Sequence, residues 1–165
     1  MEVQLKQIEA ESRHILENMF PYYVYDMSEF MGWSPNAEGV YTFNSDSLDN
    51  YWSHADHIPY FIYADQELAG FVLVRKYPTN QNVFDIEQFF VLRKFKGQGV
   101  GKSAFKDVVT RYPCQWQIRV LKENESGLRF WLSAIKNISG VNFNLGLDID
   151  IDLEMHFIRF ETKSQ

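Results

Sequence analysis

Lys96-Gly97-Gln98-Gly99-Val100-Gly101-Lys102-Ser103 is the stretch on which the fold turns. It lies between an apolar run ending near Leu92 and the residues Val100, Ala104, Phe105, Val108 and Val109, whose spacing is helical. Glycines at such a strand-to-helix junction let the backbone approach a ligand closely. N–H groups at a helix start, with the helix dipole behind them, favour a phosphate anion. Glycine-rich turns also occur purely for tight packing, and the loop by itself leaves that reading open. A nucleotide-phosphate loop needs a glycine, four residues, then Gly-Lys-Ser. Gly101-Lys102-Ser103 supplies the end of that pattern, but Lys96 stands where its first glycine is required. A dinucleotide fingerprint fails as well, because Gly97, Gly99 and Gly101 are spaced by two and two.

Upstream, Tyr60-Phe61-Ile62-Tyr63, the polar Asp65-Gln66-Glu67 and residues 68–74 predict a β-hairpin, and residues 83–92 a third strand. Downstream, Trp116, Ile118 and Val120 alternate as a strand. Leu128, Trp131, Leu132, Ile135 and Ile138 repeat as the inner face of a helix. Val141, Phe143, Leu145 and Leu147 alternate as one closing strand, and Ile149, Ile151, Leu153, Met155 and Phe157 as another. At the other end, Leu5, Ile8, Ile15, Leu16 and Met19 predict a first helix that Pro21 stops. Asp26-Met27-Ser28-Glu29 predicts the start of a short second helix, with Phe30 and Met31 packing inward. Residues 32–56 read as loop with a turn or two of helix, a place for substrate selection.

A chain of 165 residues holds one core and is short for two, so a single domain over residues 1–165 is expected. Its 16% aromatic share favours sheet. A net charge of −6 with scattered Lys and Arg argues against nucleic acid as a partner, and weakly favours a cationic substrate. Met1-Glu2-Val3-Gln4 lacks the basic start of a secretory signal. The apolar run Ala69-Gly70-Phe71-Val72-Leu73-Val74 is far below the roughly 20 residues of a spanning helix, so no membrane partner and a cytoplasmic location are expected. The single Cys114 agrees with a reducing compartment, and before a strand it reads as a small buried hydrophobe. The oligomeric state is not legible, and a homodimer is left open.

Coenzyme A is the phosphate carrier that remains, and here the sequence resembles the GNAT superfamily of N-acetyltransferases. The superfamily's signature is Arg or Gln, two residues, Gly, one residue, then Gly or Ala. It is met at Lys96, Gly99 and Gly101, with Lys as the one departure. The resemblance extends to Ile86-Glu87-Gln88-Phe89-Phe90-Val91 as a fourth strand and to Asn124-Glu125-Ser126-Gly127-Leu128-Arg129-Phe130-Trp131 as a later helix. It spans residues 60–138 in element order. It implies a mixed α+β, GNAT-like acyl-CoA N-acyltransferase fold, with a mostly antiparallel twisted sheet flanked by helices and splayed fourth and fifth strands. It also implies acetyl-CoA as co-substrate. The pantetheine arm would lie along Phe89, Phe90 and Val91, and the pyrophosphate against Lys96, Gly97, Gln98, Gly99, Val100, Gly101 and Lys102. Asn124 would touch the cofactor, although a helix N-cap serves the spacing equally well.

Acyl transfer to an amine needs an unprotonated nucleophile, a stabilised oxyanion and a proton for the departing thiolate. Strand alternation puts Glu87 on one face with Asp85, Phe89 and Val91, and the resemblance places Glu87 beside the thioester as general base. The plain alternative is a carboxylate on a partly exposed strand. Many relatives carry a Tyr seven residues after the helix Asn, where this chain has Trp131, whose indole gives up no proton at useful pH. Trp131 is expected to wall the sulfur end of the cofactor. Tyr22, Tyr23 and Tyr25 are the phenols that could reach in from the N-terminal segment.

His54 and His57 lack further partners for a metal, and Asp148, Asp150, Asp152 and Glu154 read as the wet face of a strand, so no metal is expected. The function expected is acetyl transfer to a primary amine of a small molecule or peptide. Two readings compete with it. One is an acyl-CoA-binding regulatory module with little or no turnover, and the other a nucleotide-phosphate enzyme built on Gly101-Lys102-Ser103.

Overall fold

The computed structural model describes residues 1–164. In chain order its principal elements are β1 (Val3–Gln7), α1 (Arg13–Met31), α2 (Asn50–Ser53), β2 (His57–Ala64), β3 (Glu67–Tyr77), β4 (Asn80–Val91), α3 (Val100–Arg111), β5 (Gln115–Leu121), α4 (Glu125–Lys136), β6 (Phe143–Asp150) and β7 (Leu153–Glu161). The strands form one sheet in the order β1-β2-β3-β4-β5-β7-β6, antiparallel except for the β4–β5 pair. This is the mixed, mostly antiparallel architecture that the resemblance implies.

Alternation sorts the apolar side chains of the strands to two sides. Val72, Val74, Ile86, Trp116 and Ile118 pack with Ala104, Phe105 and Val108 of α3. Phe71, Leu73 and Phe90 pack on the opposite face with Leu16, Met19 and Phe20 of α1. The β2–β3 turn has positive φ at both Asp65 (47°) and Gln66 (70°), the twist that a two-residue hairpin loop needs.

The N-terminal expectations are corrected. Leu5 lies in a strand, paired with Ile62, while Gln4 and Lys6 point to solvent. Five residues fit a period of two as well as a helical one, and the open edge of β2 decides between them. Nor does Pro21 stop a helix: α1 runs through it to Met31 and absorbs the expected second helix. An interior proline costs about 3 kcal/mol. Leu16, Met19, Phe20 and Val24 are buried on both sides of it, at about 1.5–3 kcal/mol each, so burial wins.

The C-terminal pattern is corrected as well. Ile149 belongs to β6, and Ile151 sits at the hairpin tip, 94% exposed with φ of 60°. Leu145, Leu147 and Ile149 are exposed, because β6 is the outermost strand and packs chiefly on β7. Asp150 is not on a wet face: it turns inward onto Arg119 and Tyr77.

Candidate active site

β4 and β5 are bonded only at Val83–Gln115, Phe84–Trp116 and Asp85–Gln117. Beyond Asp85 the strands part, and a wedge opens between residues 86–91 and 118–121. Two clefts meet in it.

The first, about 610 Å³, lies over the glycine loop, the end of β4 and the start of α4. Gly97 (φ 75°) and Gly99 (φ 81°) adopt the left-handed conformation that favours glycine, and no atom lies within 4 Å of where a Cβ would stand on either. Gly101 has a different reason: its Cβ would stand 3.0 Å from Phe130 Cζ, so it lets α3 pack closely. Gly99 caps α3, and Ser103 N–H donates to its carbonyl at 3.0 Å. The N–H groups of Val100, Gly101 and Lys102 therefore have no partner within the helix, and these residues line the cleft. The result is an open place at the positive end of a helix, where free N–H groups favour an anion.

Every residue expected to hold the cofactor lines this cleft except Gln98, whose amide donates instead to Lys94 O at 2.8 Å. The Lys102 ammonium is bonded to Ser133 Oγ at 2.8 Å, tying α3 to α4, while the Lys96 side chain is largely exposed. Asn124 is the N-cap of α4, its Oδ1 accepting from Gly127 N–H at 2.9 Å, and the residue also lines the cleft.

The second cleft, about 860 Å³, is walled by Tyr23, Met27 and Met31 of α1, by Trp33 and Tyr41 of the following loop, and by the tip of the β6–β7 hairpin. Its floor is ionic. Fully buried Asp85 accepts from Arg119 Nε and Nη2 at 3.1 and 2.9 Å and from Arg75 Nε at 3.2 Å. Arg75 Nη1 lies 2.5 Å from Glu87 Oε2, and Arg119 Nη1 2.5 Å from Asp150 Oδ2. Burial opposes the charge on Arg119, but Asp85 and Asp150 more than offset that and raise its pKa. Three carboxylates against two guanidiniums leave one negative charge in excess.

A β-bulge sets the position of Glu87. Leu73 pairs with Gln88 and Val74 with Ile86, so Glu87 is the extra residue. Asp85 and Glu87 both reach Arg75, as the alternation expects. Phe89 and Val91, expected on that same face, pack on the α3 and α4 side instead, because the inserted residue reverses the alternation. Trp131 lies there too, its ring 5.0 Å from those of Phe89 and Phe130 and 5.4 Å from that of Phe105.

Sequence reasoning did not find Arg75, Arg119, Tyr51, Tyr77 or Asp150. A signal was present for two of them. Arg119 interrupts Ile118 and Val120, and Arg75 ends the run through Val74; a charge inside an apolar strand is seldom buried without a partner.

The chain belongs to the acetyltransferase (GNAT) family, whose model matches residues 20–133. Solved structures resemble it over nearly their whole length. They include an acetyltransferase from Thermus thermophilus (14% identity, 97% of each chain, TM-score 0.73). An aminoglycoside acetyltransferase in complex with coenzyme A matches at 15% identity, over 98% of this chain and 95% of that one, TM-score 0.69. A spermidine N-acetyltransferase from Vibrio cholerae in complex with CoA and spermine matches at 12% identity, over 98% and 95%, TM-score 0.65. No curated protein sequence matches significantly. No helix among the described residues is long and apolar enough to cross a membrane.

Proposed function

We propose that the chain transfers an acetyl group from acetyl-CoA to a primary amine of a small molecule or peptide. One observation carries this reading: Tyr23, Met27, Phe89, Asn124 and Trp131 line both clefts. A donor with its phosphates on the glycine loop and an acceptor over the ionic floor therefore meet at one place. Holding two reactants in that way supplies effective molarities on the order of 10⁵ M or more.

The excess negative charge of the floor supports an acceptor that arrives as an ammonium ion. Glu87 is the base. One of its oxygens accepts from Tyr51 and the other faces Arg75, so its remaining lone pairs take the amine proton through a bridging water rather than by direct contact. Structural relatives named for spermidine and aminoglycoside acetylation support an amine acceptor.

Calorimetric titration with acetyl-CoA, CoA, ATP and NAD tests the donor, and thiol release with a panel of amines tests the transfer. The expected result is saturable binding of both forms of coenzyme A and none of the nucleotides. Saturable binding of ATP with none of CoA would return the loop to nucleotide chemistry.

A further inference from the structure

We propose that Tyr23 donates the proton that the departing sulfur takes, a role that rests on the acetyl-transfer reading above. A thioester that gives up its acetyl group leaves a thiolate, and a positioned proton donor accelerates that departure. The sulfur must lie where the two clefts join, since that is where donor and acceptor meet.

Five side chains line both clefts, and among them Tyr23 alone carries a hydroxyl proton that can be handed to sulfur. Met27 and Phe89 have nothing to give, and neither the Asn124 amide nor the Trp131 indole releases a proton. Tyr23 reaches the junction because α1 continues beyond Pro21. Its ring lies 5.5 Å from that of Phe20 and is set edge-on at 6.1 Å from Phe71 and 6.3 Å from Phe90. The ring is fixed by packing, while no hydrogen bond holds the hydroxyl among the described residues.

Burial raises the Tyr23 phenol well above its ordinary range, against a lowering by Arg119 and with a further rise from Glu87. At neutral pH the side chain is therefore the neutral phenol, the form that donates. The same shortage of water raises the proton affinity of a thiolate held beside it, which favours the transfer.

The step balances within the site. The amine nitrogen bonds to the acetyl carbon, the C–S bond breaks, and its electron pair remains on sulfur. The Tyr23 hydroxyl proton passes to that sulfur and makes the thiol. The ammonium has first lost one proton through the water and Glu87 to solvent; the second, shed by nitrogen after the attack, passes by the same route back to the phenolate, leaving both side chains as they began.

The test compares wild type and Tyr23→Phe in two measurements. In thiol-release kinetics, Tyr23→Phe loses about 10²-fold in kcat. In calorimetry, wild type binds CoA about tenfold more tightly than desulfo-CoA, which lacks the sulfur, and the variant brings the two affinities within about twofold. The second measurement reads contact with sulfur, which a merely structural Tyr23 would not touch. A variant with wild-type kcat and an unaltered affinity ratio overturns the proposal while leaving acetyl transfer standing. Absence of coenzyme binding by the wild type overturns both. Should Tyr23→Phe fail to fold, equal affinity of the wild type for CoA and desulfo-CoA overturns the proposal, because no donor then reaches the sulfur.

Discussion

Tyr51 donates its hydroxyl hydrogen to Glu87 Oε1 at 2.9 Å, across 36 residues of chain. The bond joins the short helix before β2 to the bulge of β4 and holds the carboxylate at the wedge. Burial and the adjacent Glu87 charge raise the Tyr51 phenol, so it stays a donor throughout the working range of pH. Glu87→Gln keeps an acceptor for Tyr51 but removes the charge and the basic oxygen. It is expected to lower kcat/KM about 10²-fold in thiol-release kinetics, with CoA affinity unchanged. Wild-type rates in that variant would leave Glu87 with a structural role only.

Asp85 is the one carboxylate of the floor with no exposure, and both guanidiniums close on it. Asp85→Ala leaves Arg75 and Arg119 short of a counter-charge in a half-closed place. The expected loss is about 3–5 kcal/mol in urea unfolding. A loss under about 1 kcal/mol would mean that Glu87 and Asp150 suffice for the two arginines.

How much of this was legible depended on the range of the interaction that decided each element. The glycine loop, α3 and α4 carry local patterns, and the expected cofactor residues gather around one cleft apart from Gln98. The course of α1 through Pro21 was settled by burial against Phe71 and Leu73, which no local rule registers. The bulge at Glu87 is likewise invisible in the sequence, since its cause lies in the register with β3. That is why Phe89 and Val91 were placed on the wrong face, and why Tyr23 remained one of three phenols without a position.

Gly97 and Gly99 are glycines for conformation, while Gly101 is one for closeness, so substitutions should separate them. Gly99→Val places a branched side chain at φ of 81° in the mouth of the loop cleft. It should reduce CoA affinity at least about 10²-fold by calorimetry while the protein stays folded. Gly101→Ala sets a methyl 3.0 Å from the tip of the half-exposed Phe130 ring, which must give by a few tenths of an ångström. The gain in helix propensity offsets that contact, so stability in urea unfolding should change by less than about 1 kcal/mol. Unchanged CoA affinity in Gly99→Val would make the loop a packing device.

Burial pushes the Cys114 thiol up to about 11, from an ordinary value of 9.0. The thiolate is the reactive form, so at pH 8 alkylation by iodoacetamide should run about 10²-fold slower than for a free cysteine. Its rate should rise tenfold per pH unit to about pH 11 instead of levelling near 9. The raised pKa also fixes the sign of the linkage: the unfolded chain sheds this proton first, so stability falls as pH rises from about 9 to about 11. Fast labelling at pH 8 would show that the strand end opens readily. Slow labelling also means that Cys114 leaves a thiol-release assay undisturbed.

Trp131 faces Phe89, Phe105 and Phe130 and lines both clefts, so its bulk and its place at their junction can be tested apart. Trp131→Ala empties a half-buried aromatic contact and should cost about 2–3 kcal/mol in urea unfolding. Trp131→Phe keeps most of the ring packing and should keep most of the activity. Trp131→Tyr brings a second phenol to the junction. In the wild-type background its effect on kcat should be flat or slightly adverse, because Tyr23 already serves the sulfur. In the Tyr23→Phe background the same substitution should recover about tenfold or more of the lost kcat, since a phenol again stands at the junction. That interdependence separates a proton donor from a packing residue. Two rings that only fill space would couple through packing, in stability as well as in kcat, whereas two alternative donors for one sulfur make the effect of the second phenol on kcat alone depend on whether the first is present. A large gain from Trp131→Tyr in the wild-type background would mean that Tyr23 leaves the sulfur unserved.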